Sequence, residues 1–554
     1  MTATPENPWF GGAGAGNGAG TDTDPAAAIA ATEARHAPGT GRSTAEKLDD
    51  LRGRLEKSLD PGSQRAREKR DAEGHTTPRQ RIDALLDEGS FTEIGALGRT
   101  PGVEDAPYGD GVVTGYGRID GRPVAIYAHD KTVYGGSVGE TFGKKVCEVM
   151  DFATRIGCPV IGINDSGGAR IQDAVMSLAM YSEISRRQLP LSGQSPQISI
   201  LLGNCAGGAV YAPATTDFLI AVEEQTTMFV TGPQIIESVT GEKISMQDLG
   251  GARVQAANGN IHYVGSDEDD ALSYVRELLA HLPTSAFEAT PVYPAPSDEP
   301  TERDAELADL IPDDPNAGYD MMDVLTRIFD DEDFLEIQPD FGQNVITGYA
   351  RIDGRPVGVV ANQPMSLAGC LDAEAADKAS RFIRTCDAYG VPLVYVVDTP
   401  GYLPGAEQEK LGLIHRGAKL GFAIVEATVP KMTVVVRKAF GGGYAVMGSK
   451  NLGADVNLAW PTAQIAVMGA EGAAVMIQGR QLAALPEEER PAAKKMFMDF
   501  YNANMTSPYV AAERGYVDEI IDPSQTRVRL RQALRLLKDK QVPVQPKKHT
   551  INPM

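Results

Sequence analysis

VTGYGRIDGRPV occupies residues 113–124, and ITGYARIDGRPV occupies residues 346–357. The offset of 233 positions persists downstream, where Gly157, Pro159, Asp165 and Gly168 recur as Gly390, Pro392, Asp398 and Gly401. Upstream, GSFTEI (Gly89 to Ile94) matches EDFLEI (Glu332 to Ile337), with about ten more residues before the next motif in the first copy. Solenoid repeats have periods of about 20 to 50 residues, so a repeat this long reads as a duplicated domain. Two like domains suggest a site built where similar halves face each other.

Each copy alternates short apolar runs with helical stretches. VAIYA (Val124 to Ala128), PVIGI (Pro159 to Ile163) and ISILL (Ile198 to Leu202) read as buried strands of the first copy. VGVVA (Val357 to Ala361), LVYVV (Leu393 to Val397) and MTVVV (Met432 to Val436) repeat them. Buried strands separated by helices predict an α/β layered fold with largely parallel sheets.

The remaining segments set the expected domain limits. Residues 1–42 are rich in Gly, Ala and Thr and are expected to be disordered. The first domain is expected over 43–293. It opens on a helix whose Ser43 and Glu46 have capping-box spacing, and whose Leu48, Leu51, Leu55 and Leu59 form an apolar stripe ended by Pro61-Gly62. Residues 294–316, rich in Pro, Asp and Glu, read as a linker. The second domain then covers 317–554, with an extended tail after Val542.

The composition narrows the function. The net charge of −23 over 554 residues offers no basic stripe for nucleic acid. No run is long and apolar enough to span a bilayer, and no basic segment followed by an apolar one marks a secretory signal. A soluble, cytoplasmic chain is expected. The five cysteines form no CxxC pair and read as thiols of a reducing compartment. The seven histidines are scattered, so no metal site is expected from spacing.

Four glycine-rich turns follow the strands: DSGGAR (Asp165 to Arg170), NCAGGAVY (Asn204 to Tyr211), DTPGYLPG (Asp398 to Gly405) and AFGGGYAVM (Ala439 to Met447). Glycine lets backbone N–H groups approach a ligand closely. Adjacent N–H groups at a helix start can hold a phosphate or an enolate oxygen. The phosphate reading lacks GxxxxGK[ST] and a GxGxxG in the right context. The bland alternative is tight packing of helix on strand. No GxSxG, no Cys/His pair and no pair of glutamates at the turns supplies a nucleophile, acid or base. Anion-stabilising backbone without a base fits a reaction whose base arrives with a substrate or cofactor.

GGSVGE (Gly135 to Glu140), NDSGGARIQ (Asn164 to Gln172), MFVTGP (Met228 to Pro233), NQPMSLAGCLD (Asn362 to Asp372), HRGAKL (His415 to Leu420) and AWPTAQIAVMG (Ala459 to Gly469) resemble the carboxyltransferase (β) subunits of biotin-dependent acyl-CoA carboxylases. The resemblance runs in family order from about residue 65 to the C-terminus and is nearest to the propionyl-CoA carboxylase type. It implies two crotonase-like ββα-superhelix domains in a homohexameric β core, with each site shared between the first domain of one subunit and the second of a neighbour. It also implies a biotinylated α subunit that carries the biotin carboxylase and the carrier, and that uses ATP and bicarbonate. Carboxybiotin on that carrier would supply both CO₂ and the base, with no metal in this chain. The chain itself would stabilise two oxyanions. The acyl-CoA enolate maps to Gly207 and Gly208, with Gly167, Gly168 and Ala206 beside the substrate. The biotin ureido oxygen maps to Gly442 and Gly443. Arg170 is a candidate for the CoA phosphates by position, with a structural ion pair as the alternative.

The chain departs from the family pattern at one place. Propionyl-type members usually carry GGAYD at the second turn, whereas this chain has GGGYA from Gly441 to Ala445. Ala445 thus stands where the family places the residue associated with acyl-chain choice. Losing a carboxylate removes its desolvation cost beside a hydrocarbon tail. Each additional buried CH₂ then contributes about 0.8 kcal/mol. An acyl-CoA longer than propionyl, from butyryl to medium chain, is expected. The rival readings are a propionyl- or acetyl-CoA carboxylase β subunit, a decarboxylase or transcarboxylase subunit of the same fold, a non-catalytic scaffold, and a crotonase-type hydratase.

Overall fold

The computed structural model describes residues 42–543, 546 and 549–553. The Gly-rich tail up to residue 41 and the Lys547-Lys548 pair lie outside the described residues. Two eight-stranded sheets repeat one topology. The first holds β1 (Thr92–Ile94), β2 (Val112–Ile119), β3 (Arg122–His129), β4 (Val160–Ser166), β5 (Gln197–Ala206), β6 (Phe218–Val222), β7 (Thr227–Phe229) and β8 (Tyr263–Gly265), in the order β1-β2-β3-β4-β5-β6-β8 with β7 beside β5. The second holds β9 (Phe334–Ile337), β10 (Val345–Ile352), β11 (Arg355–Asn362), β12 (Leu393–Thr399), β13 (Lys431–Phe440), β14 (Val456–Ala459), β15 (Gln464–Ala466) and β16 (Glu519–Ile520), in the matching order, with β15 beside β13.

The repeated RIDGRP motif is a β-hairpin. Ile119 pairs with Arg122 and Ile352 with Arg355, which leaves two-residue Asp-Gly turns. Asp120 and Gly121 have φ 50° and 76°, and Asp353 and Gly354 have φ 59° and 67°. Positive φ at both central residues is the turn that matches strand twist, and Asp-Gly favours it. Each sheet therefore begins antiparallel and becomes parallel from β3 and β11 onward, where helices make the crossovers. The sheets are thus largely parallel, as expected, and only the strands up to the hairpin, β1 to β3 and β9 to β11, pair antiparallel.

Helices α1 (Glu140–Ile156) and α2 (Val175–Leu191) cross over in the first copy, and α3 (Ala373–Ala388) and α4 (Leu413–Glu426) in the second. The copies share one core, in which Phe218, Tyr274 and Leu278 pack with Tyr349, Phe382 and Tyr389. Polar ties cross the same boundary: Tyr389 Oη donates to Asp217 Oδ2 at 2.6 Å, and Tyr274 Oη to the Glu336 carbonyl at 2.9 Å.

Ser43 caps the helix Thr44–Leu59 with both capping-box hydrogen bonds, while Leu48, Leu51, Leu55 and Leu59 are exposed. Part of the segment expected as a linker is helical. Thr301 caps Glu302–Leu310, and Leu307 and Ile311 are buried in the second copy's core. Asp304 forms a buried ion pair with Arg527 at 2.7 Å. All five cysteines are free.

Candidate active site

Each central strand bends before its turn. The register between β4 and β5 shifts between Asn164 and Ser166, and that between β12 and β13 shifts between Val397 and Thr399. Asp165 and Asp398 sit at these irregularities. Beyond the bend, β5 and β13 leave their first neighbours and pair with β7 and β15. The bend carries the strand end outward, a common use of a β-bulge beside a site. An aspartate holds each bend: Asp165 Oδ1 accepts from Asn204 N at 3.2 Å, and Asp398 Oδ1 accepts from Lys438 N at 3.0 Å.

The strand ends run into matched turns. Gly207 has φ 59° and Gly441 φ 57°, a left-handed conformation that costs glycine little. Short helices follow, Gly207–Val210 in the first copy and Gly441–Val446 in the second. The first N–H groups of a helical turn have no partner within it. Gly207 and Gly208 are half-buried and Gly442 is exposed, so these amides can meet a ligand. Two adjacent donors of this kind can hold an oxygen on which negative charge develops.

The register places Gly207, Gly208 and Ala209 opposite Gly441, Gly442 and Gly443. The expected set of Gly207, Gly208, Gly442 and Gly443 is thus staggered by one residue between copies. Gly443 is buried, and a methyl there would lie 2.9 Å from Thr399 Cγ2 and 3.0 Å from Gly401 Cα. Its missing side chain admits the Asp398-to-Gly401 turn. Gly168 does the same in the first copy, where a methyl would lie 2.9 Å from the Ala206 carbonyl oxygen. Gly167 is exposed beside it. The structure therefore gathers Gly167, Gly168, Ala206, Gly207 and Gly208 at one sheet end. Gly442, Gly443 and Ala445 share a single short helix at the other.

Arg170 is taken up structurally. It is buried, pairs with Asp110 at 3.0 Å, donates to the Asp110 and Ser137 carbonyls, and lies over the Tyr134 ring at 4.3 Å. At the repeat offset the second copy has Gln343 in place of Asp110, so this ion pair belongs to the first copy alone. Among the positions expected from sequence, Arg170 thus takes the structural alternative.

A cleft of about 590 Å³ opens beside the second turn, walled by Gly441, Gly442, Tyr444, Ile465, Val467 and Met505 among others. The Tyr444 hydroxyl is buried with no hydrogen-bond partner among the described residues. Sequence reasoning missed the tyrosines at these turns and the cations opposite the two aspartates. Only the aspartates left a signal, as a matched pair at the repeat offset.

Residues 69–551 match the carboxyl transferase domain family. The chain is 56% identical over 504 residues to the biotin-dependent long chain acyl-coenzyme A carboxylase beta4 subunit of Mycobacterium tuberculosis, covering 90% of this chain and 96% of that protein. It is 52% identical over 522 residues to the propionyl-CoA carboxylase beta chain of Saccharopolyspora erythraea, covering 92% and 96%. The crystal structure of transcarboxylase 12S, a hexamer with methylmalonyl-coenzyme A bound, superposes with a TM-score of 0.89 at 43% identity, over 94% of this chain and all of that one. No helix among the described residues is long and apolar enough to cross a membrane. Two donor turns on duplicated sheets, with this extent of similarity, make the chain a member of the carboxyl transferase family, as a carboxyltransferase β subunit of the biotin-dependent acyl-CoA carboxylases.

Proposed function

We propose that this chain moves CO₂ from carboxybiotin to the α carbon of an acyl-CoA longer than propionyl, from butyryl to medium chain, giving an alkylmalonyl-CoA. The observation that carries the proposal is the pair of matched donor turns, one of which is followed by Ala445 where the family usually has a carboxylate. The 56% identity to a subunit named for long-chain acyl-CoA supports the same direction.

In this reading the Gly207 and Gly208 amides hold the thioester oxygen as charge builds on it. The Gly442 and Gly443 amides face the biotin ureido oxygen. Loss of one such donor costs about 3 to 4 kcal/mol of barrier elsewhere. The cleft beside the second turn suits biotin: it is largely apolar, it is large enough for a fused ring system, and it keeps the unpartnered Tyr444 hydroxyl in its wall. When bound, carboxybiotin would supply the CO₂, and the biotin left on its release would supply the base. The chain's residues bind and orient the ligands, and they stabilise charge. A biotinylated α subunit with carboxylase and carrier would use ATP and bicarbonate, and the β chains would form a hexamer.

Specificity constants for acetyl-, propionyl-, butyryl- and octanoyl-CoA, with the α subunit present, test the chain length. A propionyl optimum that falls steeply with length would sink it. Ala445→Asp should move the preference toward short acyl groups, and an unchanged profile would free Ala445 of that role. The likeness to transcarboxylase 12S favours one second reading, a transcarboxylase subunit. ATP-dependent carboxylation with a biotin carboxylase partner separates the two.

A further inference from the structure

We propose that Tyr181 and Tyr402 are positioning residues that seat the second glycine of each donor turn and so fix the direction of its amide. The inference rests on the reading of the turns given under Proposed function.

A methyl on Gly208 would lie 3.0 Å from Tyr181 Cε2, 3.2 Å from Cζ and 3.3 Å from Cδ2. A methyl on Gly442 would lie 3.1 Å from both Cδ2 and Cε2 of Tyr402. In both copies an aromatic ring thus fills the place of a side chain at the same position of the turn. The repeat did not supply this contact, because the two tyrosines come from different elements. Tyr181 stands on α2, whereas Tyr402 stands in the turn between β12 and the short helix Ala406–Lys410. The same contact has been reached by two routes, which marks the contact itself as what the turns require.

The rings act by shape. The Tyr181 hydroxyl is buried near Ser166 with no hydrogen-bond partner among the described residues, while Ser166 Oγ donates to the Gly136 carbonyl and accepts from Gly168 N. Burial raises both phenols, Tyr402 to about 12, so both stay neutral. Tyr402 is also held from behind, where a methyl on Gly417 of α4 would lie 2.7 Å from its hydroxyl oxygen. A rigid ring against Cα limits how far the peptide can rotate, and preorganised donors are effective only when aimed. A misplacement of about 1 Å can cost about a hundredfold in rate.

The test uses the full chain with its biotinylated α subunit and compares Phe and Ala at each tyrosine. Tyr181→Ala should lower kcat about 10- to 100-fold, while the calorimetric Kd for the acyl-CoA stays within about twofold, because the pocket remains and the donor alone wanders. Tyr181→Phe should restore kcat. Tyr402→Ala should instead impair transfer between a malonyl-type CoA and free biotin, again with Phe restoring it. Gly208→Ala should be damaging with Tyr181 present and much less so in Tyr181→Ala, a coupling expected only for groups in contact. If Tyr181→Ala does not fold, Tyr181→Leu is read in its place. Wild-type kcat in folded Ala variants, or Phe variants as damaged as Ala, would overturn the seating role. Rescue by Phe with the affected substrates exchanged would support seating and overturn the assignment of copies to ligands. A wild-type complex without carboxylation would remove the underlying reading, while the Gly208 and Tyr181 coupling in thermal stability would still decide the contact.

Discussion

The bends under the two turns share a backbone and differ in how they balance charge. Under the second turn, Asp398 Oδ2 accepts from Arg437 Nε at 2.8 Å and from Tyr319 Oη at 2.8 Å. Arg437 also donates to the Ala317 carbonyl and lies over the Tyr319 ring. Asp398 and Arg437 are both closed off from solvent, and Tyr319 is half-buried beside them. Under the first turn, the position of Arg437 is taken by Gly203, because the Asp165 carboxylate occupies that space; a methyl on Gly203 would lie 2.2 Å from Asp165 Cγ. The cation comes instead from Lys131 at 3.0 Å, and its side chain is half-exposed. The aspartate that holds the strand amide is common to both copies, and the counter-charge is what each copy found for itself. A conserved device thus sits in a sealed setting in one half and an open one in the other.

That contrast can be broken most directly at the cations. Arg437→Met should leave Asp398 buried without its charge partner and cost about 3 to 5 kcal/mol. Lys131→Met, at a partly exposed pair, should cost at most about 1 kcal/mol. Denaturant unfolding of both variants checks this, and equal losses would show that the two bends are balanced alike. The turns offer the next comparison. Gly208→Val and Gly442→Val should each lower turnover about 10²- to 10³-fold. Their defects should separate between acyl-CoA turnover and exchange with free biotin. Indistinguishable kinetic defects would mean the two turns do not divide the ligands.

A smaller effect concerns acid. Burial lowers His129 and His281 to about 4 and His262 well below its ordinary value, and all three lie in the first copy. His262 Nδ1 accepts from Leu219 N, which requires the neutral ring. Between pH 4 and 6.5 the unfolded chain binds these protons and the folded chain does not. Their contribution is therefore complete above about pH 6.5 and is lost as pH falls toward 4. The second copy has Asn362 where the first has His129. His129→Asn should reduce the drop in Tm between pH 7.5 and pH 5, and an undiminished drop would place the acid sensitivity elsewhere.

The repeat, the buried strands and the glycine turns were legible because each is a local pattern. Asp-Gly in RIDGRP also carries the hairpin that opens each otherwise parallel sheet. The helix Glu302–Leu310 was hidden by its Pro- and Asp-rich surroundings, and it is held by Leu307 and by Arg527, far along the chain. Arg170 has two readings in the sequence, and its buried ion pair with Asp110, distant in the chain, makes it structural. Tyr181 carries no mark in the sequence, and Tyr402, although inside the DTPGYLPG turn, carries none of its packing role, because a ring that acts by filling space has no motif.

The sequence by itself determined that two like α/β halves exist, that each ends a buried strand in a glycine turn, and that the chain belongs with carboxyltransferases. These follow from periodicity, turn chemistry and motif order, all of which depend on near neighbours. Only the tertiary structure decided which glycines correspond, since moving the pairing by one residue leaves the run of glycines unchanged while turning a different amide outward. It also decided which cation meets each aspartate and which ring meets each turn. Those partners are far apart in the chain, and strand pairing and helix docking alone bring them within reach.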